Sequence, residues 1–219
     1  MKKISLIIFI LIVACYGYIK IHDNNDSVLK ELNQAIRQNN EAQIKEILAK
    51  NPNLDLNPPF VFGYMNKPLF IAARSSTPEI LSLLLQHGAD INGICSYQDT
   101  PLITALENHK YENAKFLIEH GADVNKPNSY GMSPFIGLCA GYGPFDLFVL
   151  AFEKGGELNK SYPITVCAYS ETVDGHCPVR HNSTCLEMLQ ENSSNWSGDG
   201  AEEKARKKIR EYLSQKGLL

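Results

Sequence analysis

Cys177, His181 and Cys185 stand four residues apart, with Cys167 and His176 close by. Thiolates and imidazoles grouped in this way hold zinc when three or four of them converge tetrahedrally. The spacing follows no zinc-finger pattern, and Pro178 interrupts any helix that would turn the three to one face. The same cysteines could form a disulfide. Cys167 and Cys177 would close a loop of about 11 residues, worth on the order of 2–3 kcal/mol in an oxidising compartment. Cys177 with Cys185 is the competing pair. The expectation is a disulfide and no metal, with a metal-binding or redox role for residues 167–185 as the alternative.

The remaining reactive side chains are scattered. The chain contains no GxSxG, HExxH, GxxxxGK[ST] or GxGxxG segment, and Gly141-Tyr142-Gly143 runs into Pro144 as a turn would. His87 and His120 recur at equivalent positions, as do Asp90 and Asp123, which assigns them to structure. No nucleophile and base are paired by the sequence, so neither catalysis nor a cofactor is expected. The 219 residues are 44% apolar and 21% charged, a composition that folds. Lys+Arg 21 against Asp+Glu 24, without runs of like charge, excludes nucleic-acid phosphates as the main partner.

The N-terminus bears on the redox compartment. Lys2 and Lys3 precede an uncharged apolar stretch from Ile4 to Ile19. As a helix it would reach roughly 24 Å, short of a comfortable bilayer span, and it reads as a secretory signal. Ile12-Val13-Ala14-Cys15 resembles a bacterial lipobox. That resemblance implies cleavage after residue 14, lipidation of Cys15 and, with Tyr16 rather than Asp next, retention at the outer membrane. An uncleaved anchor is the other reading. Both leave the two lysines in the cytoplasm and the rest of the chain on the periplasmic side. Cleavage takes the basic count from 21 to 19 against 24 acidic residues, a charge of −5.

A period of 33 organises the middle of the chain. Pro68, Pro101 and Pro134 obey it, as do Tyr64, Tyr97 and Tyr130, and HGADIN at 87–92 returns as HGADVN at 120–125. KPLFIAA at 67–73, TPLITAL at 100–106 and SPFIGLC at 133–139 repeat in register, and Thr184-Cys185-Leu186 imitates them with Cys185 in the proline's place. These segments resemble ankyrin repeats. The implied fold is all-α, a solenoid of about five helix-pair repeats with hairpin loops, at approximately 27–59, 60–95, 96–128, 129–160 and 183–217. A lipidated N-terminus and linker over 15–26 precede the repeat domain at 27–217, and an inserted loop occupies 160–182. Thr100 and Ser133 are expected to cap their helices ahead of Pro, a cap that Lys67 lacks. Cys139, in the place of Ala73, is expected in the core, and Cys95 falls on a hairpin. Tyr142, Phe145 and Phe148 are expected to pack on helix faces.

In that family the hairpin tips and first helices form a concave binding face. Tyr64, Tyr97 and Tyr130 share one tip position, with Met65, Gln98, Asp99 and Met132 beside them, and tyrosine is enriched at interface hot spots. The chain resembles exported ankyrin-repeat lipoproteins, including immunity-type ones. The expectation is therefore a monomeric, non-catalytic protein-binding module, held to the membrane by its lipid, that blocks a toxic effector such as a secreted phospholipase. A periplasmic partner or chaperone of a resident enzyme is the alternative.

Overall fold

The computed structural model describes residues 25–58, 67–160, 162–164, 181–190 and 200–219. The signal segment, Cys15, Tyr64, Met65, Cys167, His176 and Cys177 lie outside them. The described chain is a row of helix pairs. Helix α1 (25–37) pairs with α2 (Glu41–Lys50), α3 (Pro68–Ser75) with α4 (Pro78–Gln86), and α5 (Pro101–Glu107) with α6 (Tyr111–Glu119). Next come α7 (Pro134–Cys139) with α8 (Phe145–Glu153), and α9 (Cys185–Gln190) with α10 (Gly200–Gln215). First helices α3, α5, α7 and α9 stack side by side, and second helices α4, α6, α8 and α10 do the same behind them. One apolar core runs from Leu29 to Leu213. Short helices this close to the marginal length in water are stable only through such stacking.

Local chemistry sets the ends of these helices. The Thr100 and Ser133 hydroxyls accept from the amides of Ile103 and Ile136, each at 3.2 Å, with Pro at the first helical position. Lys67 offers no such bond to α3. Thr184 and Glu187 form a reciprocal capping box at α9, 3.2 and 2.8 Å. Gly88 and Gly121 take φ of 85° and 93° after α4 and α6, the left-handed conformation that ends a helix there.

Side-chain hydrogen bonds tie one repeat to the next. The Asn57 carboxamide accepts from the Asp90 amide and donates to the Gly88 carbonyl, both at 2.8 Å. Asn92 accepts from Asp123 at 2.8 Å, and Asn125 bridges Glu157 and Gly155 in the same manner. Asp55, Asp90 and Asp123 each accept from the amide two residues on, which fixes the turn. His87 and His120 hydrogen-bond the carbonyls of Leu83 and Phe116 at 2.8 Å through Nδ1. Deeper in, the buried Asn113 carboxamide donates to the carbonyls of Ala72, Ala73 and Ser76, the open end of α3.

Three features differ from the sequence reading. Cys139 lies in the core as expected, but as half of a disulfide rather than a free thiol: it is joined to Cys185, with Cα atoms 5.4 Å apart. That bond excludes the Cys177–Cys185 pairing and removes Cys185 from any zinc set, since a disulfide sulfur is no thiolate ligand. The ends of the insertion pair as a short antiparallel ribbon, β1 (Tyr162–Ile164) against β2 (His181–Ser183), so the helical solenoid carries a small strand pair. Cys95 does stand on its hairpin, and it is buried there. Tyr142 is 39% exposed, because it follows Gly141 (φ 95°) out of the end of α7, whereas Phe148 is fully buried. Among the described residues no helix is long and apolar enough to cross a membrane.

Candidate protein-binding face

The hairpins between repeats project from the first helices, and two of them are described. In 128–132 the Asn128 amide donates to the Met132 carbonyl, while its side-chain oxygen accepts from the amides of Tyr130 and Met132 at 3.0 and 3.1 Å. Gly131, φ 78°, supplies the left-handed residue that this turn needs. In 95–99 the backbone bond from the Cys95 amide to the Asp99 carbonyl is kept at 3.0 Å. Here the capping Asn is replaced by Cys95, and the glycine by Gln98. Tyr97 and Gln98 both adopt positive φ, 58° and 60°, an uncommon conformation for residues with a side chain.

The two hairpins lean on each other. The Ser129 amide donates to the Tyr97 carbonyl at 2.6 Å, and the Asn128 carboxamide donates to the Asp99 carboxylate at 2.9 Å. The rings of Tyr97 and Tyr130 meet with centroids 5.4 Å apart at a tilt of 31°. They remain open to water, 62% and 38% exposed. The structure thus brings together Tyr97, Gln98, Asp99, Tyr130 and Met132.

Beside this pair lies a groove of about 270 Å³ between α5 and α7. Ile103, Leu106, Met132, Pro134 and Tyr142 give it apolar walls, with Gly137 on α7, and Glu107 and His109 at its edge. Glu107 has its carboxyl pushed up to about 7, first by burial against the apolar wall and then by the charge of Asp99. Burial also raises Asp99, against the opposing effect of its Asn128 hydrogen bond. The Cys95 thiol is driven to about 11 by burial and by Asp99. Two carboxylates of one sign are thus close enough to feel each other at this face, with Glu107 still open to solvent.

Sequence reasoning did not place Glu107, Leu106 or Tyr142 at this face. Glu107 ends a helix like any solvated acid, and only the stacking of α5 on α7 shows what flanks it. A signal for the disulfide was present in the repeat register. Leu106 and Pro134 line one groove from successive first helices, and Cys139 and Cys185 occupy those same motif positions one repeat later. Among the described residues no group of three or more His, Cys, Asp or Glu is arranged to hold a metal ion.

No curated protein matches the chain. The family model for ankyrin repeats matches residues 32–128, in three copies. The pairs α7–α8 and α9–α10 continue the same stack beyond the match. Ankyrin repeats are found here, then, within an all-α solenoid of that type, and ankyrin repeats are protein–protein interaction modules that in general carry no catalytic activity.

Proposed function

We propose that the protein is an exported, lipid-tethered binding module that holds and blocks a toxic enzyme, a phospholipase or another hydrolase, on the periplasmic side of the membrane. The observation that carries the binding half is the exposed pair of contacting rings Tyr97–Tyr130 on hairpins next to an apolar groove. Rigid aromatic area beside a concavity is what protein interfaces concentrate their energy on. Export is supported by the lipobox-like segment ending at Cys15 and by the Cys139–Cys185 disulfide, which fits an oxidising compartment. An inhibitor acting one-to-one at a threatened membrane gains from a lipid tether, which keeps it where its target arrives.

Affinity capture of the tagged, membrane-extracted protein tests this reading, with mass spectrometry on periplasm of strains expressing the neighbouring genes. A stoichiometric hydrolase that loses activity on binding is the expected outcome. A resident enzyme left active would point to a supporting role and sink the inhibitor reading. Replacing Tyr97 and Tyr130 by Ala should weaken capture by about tenfold or more and move the thermal midpoint by no more than a degree or two. An equal loss of stability would mean that the rings only brace the hairpins.

A further inference from the structure

Gly137 sits inside α7 at the motif position held by Ile71 in α3 and Thr104 in α5. Glycine destabilises a helix interior relative to alanine, and crowding does not demand it here. Within 4 Å, a Cβ at 137 would meet a ring carbon of Tyr142 at 3.8 Å, an ordinary contact. The missing side chain opens the floor of the groove between α5 and α7. At about 270 Å³ the groove falls just under the range of roughly 300–1,000 Å³ that takes drug-sized ligands. It suits one large side chain.

Its edge is acidic. Among the described residues no ion pair reaches Glu107, and the charge that acts on it is that of Asp99, of the same sign. Asp99 is met by a neutral carboxamide, that of Asn128. Lys67 acts on the Cys95 thiol but is not among the groups acting on Glu107. A cation arriving from outside would be attracted by both carboxylates at the rim of an apolar groove, which gives charge complementarity to a basic partner.

We propose that this groove receives one large apolar side chain of the protein partner, over Gly137, while a lysine or arginine next to it in the partner pairs with Glu107 and Asp99. This rests on the protein-binding reading above and adds the chemistry that is read. The occupant is a polypeptide carrying an apolar–basic pair, not a free small molecule.

The probe is a phage-displayed library of random twelve-residue peptides, selected against the full-length protein in detergent with its disulfide intact. Selected peptides should carry Leu, Met, Phe or Trp beside Lys or Arg. Measured by fluorescence anisotropy, their affinity should fall at least tenfold in Gly137→Leu, which fills the floor, and about fivefold in Glu107→Gln. Gly137→Ala, whose Cβ fits without displacing a neighbour, is the check in case the leucine variant does not fold; it should cost about threefold with the thermal midpoint unchanged or raised. Peptides that bind all three variants like the parent but lose affinity on Tyr97→Ala would overturn the groove and leave the concave face as the binding surface. Selection of no peptide, or of peptides insensitive to every one of these changes, would overturn both.

Discussion

Tyr97 shows how much of the candidate binding face is decided by single residues. It holds φ at 58° and is followed by Gln98 at 60°, although Gly131 serves the equivalent place one repeat on. Left-handed conformations cost side-chain-bearing residues on the order of 1 kcal/mol each. The expenditure turns the Tyr97 ring out beside Tyr130. Glu107 is costly in another way. Its carboxyl, raised to about 7 by burial and by Asp99, binds a proton more tightly in the folded chain than in the unfolded one. Below the ordinary carboxylate pKa both states are protonated and nothing is lost. As pH rises from about 4.5 to 7 the unfolded chain ionises first, so stability falls and then levels off. Glu107 lies partly in solvent, so the loss is discounted to about 1 kcal/mol. Asp99, Tyr130, Cys95 and His109 face the same region, and the variant isolates the one group. Glu107→Gln should raise the thermal midpoint by a few degrees at pH 8 and leave it unchanged at pH 4.5, as read by circular dichroism. A gain equal at both pH values would show that the carboxyl is not held protonated.

Among the elements, α7 and α9 carry the largest single constraint. The Cys139–Cys185 bond spans a separation of 46 residues, across the whole insertion and its ribbon β1–β2. Closing a loop of that length removes unfolded-state entropy worth about 4 kcal/mol. Among the described residues the last repeat also meets the stack through Leu189, Ile209 and Leu213 in the core and through Tyr212 against Phe145, Phe148 and Phe152, while Arg210 on the Leu189 carbonyl at 2.8 Å joins its own two helices. Reduction, or Cys139→Ala with Cys185→Ala, should release α9 and α10 before the rest. Hydrogen exchange should then show loss of protection over 185–190 and 200–215 while α3–α6 keep theirs. Uniform loss across the solenoid would mean that the last repeat is part of one cooperative unit rather than a stapled end. The caps of these helices were legible residue by residue in Thr100, Ser133 and the prolines after them. The role of Cys185 was carried only by the repeat register, because its partner lies across an insertion that hides that register.

At the scale of the whole molecule, a row of stacked repeats gives stability by nearest-neighbour contacts and leaves one continuous face free. The Asn57, Asn92 and Asn125 bridges lock the turn-forming ends of successive repeats together, so the hairpins keep a common orientation. Under the proposed lipid attachment, the tether would decide where that face works. With Cys15 as the lipid attachment point, Cys15→Ser should move the protein from the membrane to the soluble periplasmic fraction, checked by fractionation and by the mass of the mature N-terminus. Continued membrane association with residues 1–14 still attached would instead support an uncleaved anchor.

The amino-acid sequence alone determined the repeat. A 33-residue period, hydroxyl-plus-proline helix starts, glycines at helix ends and the Asp–Asn turns are local patterns, and local patterns survive in one dimension. The exposed tyrosines were legible for the same reason, since Tyr97 and Tyr130 share a register position. Tertiary structure decided what depends on two elements at once: the Cys139–Cys185 bond, the burial of Cys95, the exposure of Tyr142 and the groove that α5 and α7 enclose around Glu107. The disulfide and the groove arise from the lateral packing of one first helix on the next, while Cys95 and Tyr142 take their exposure from how a hairpin and a helix end are turned, and neither kind of geometry is written in local spacing.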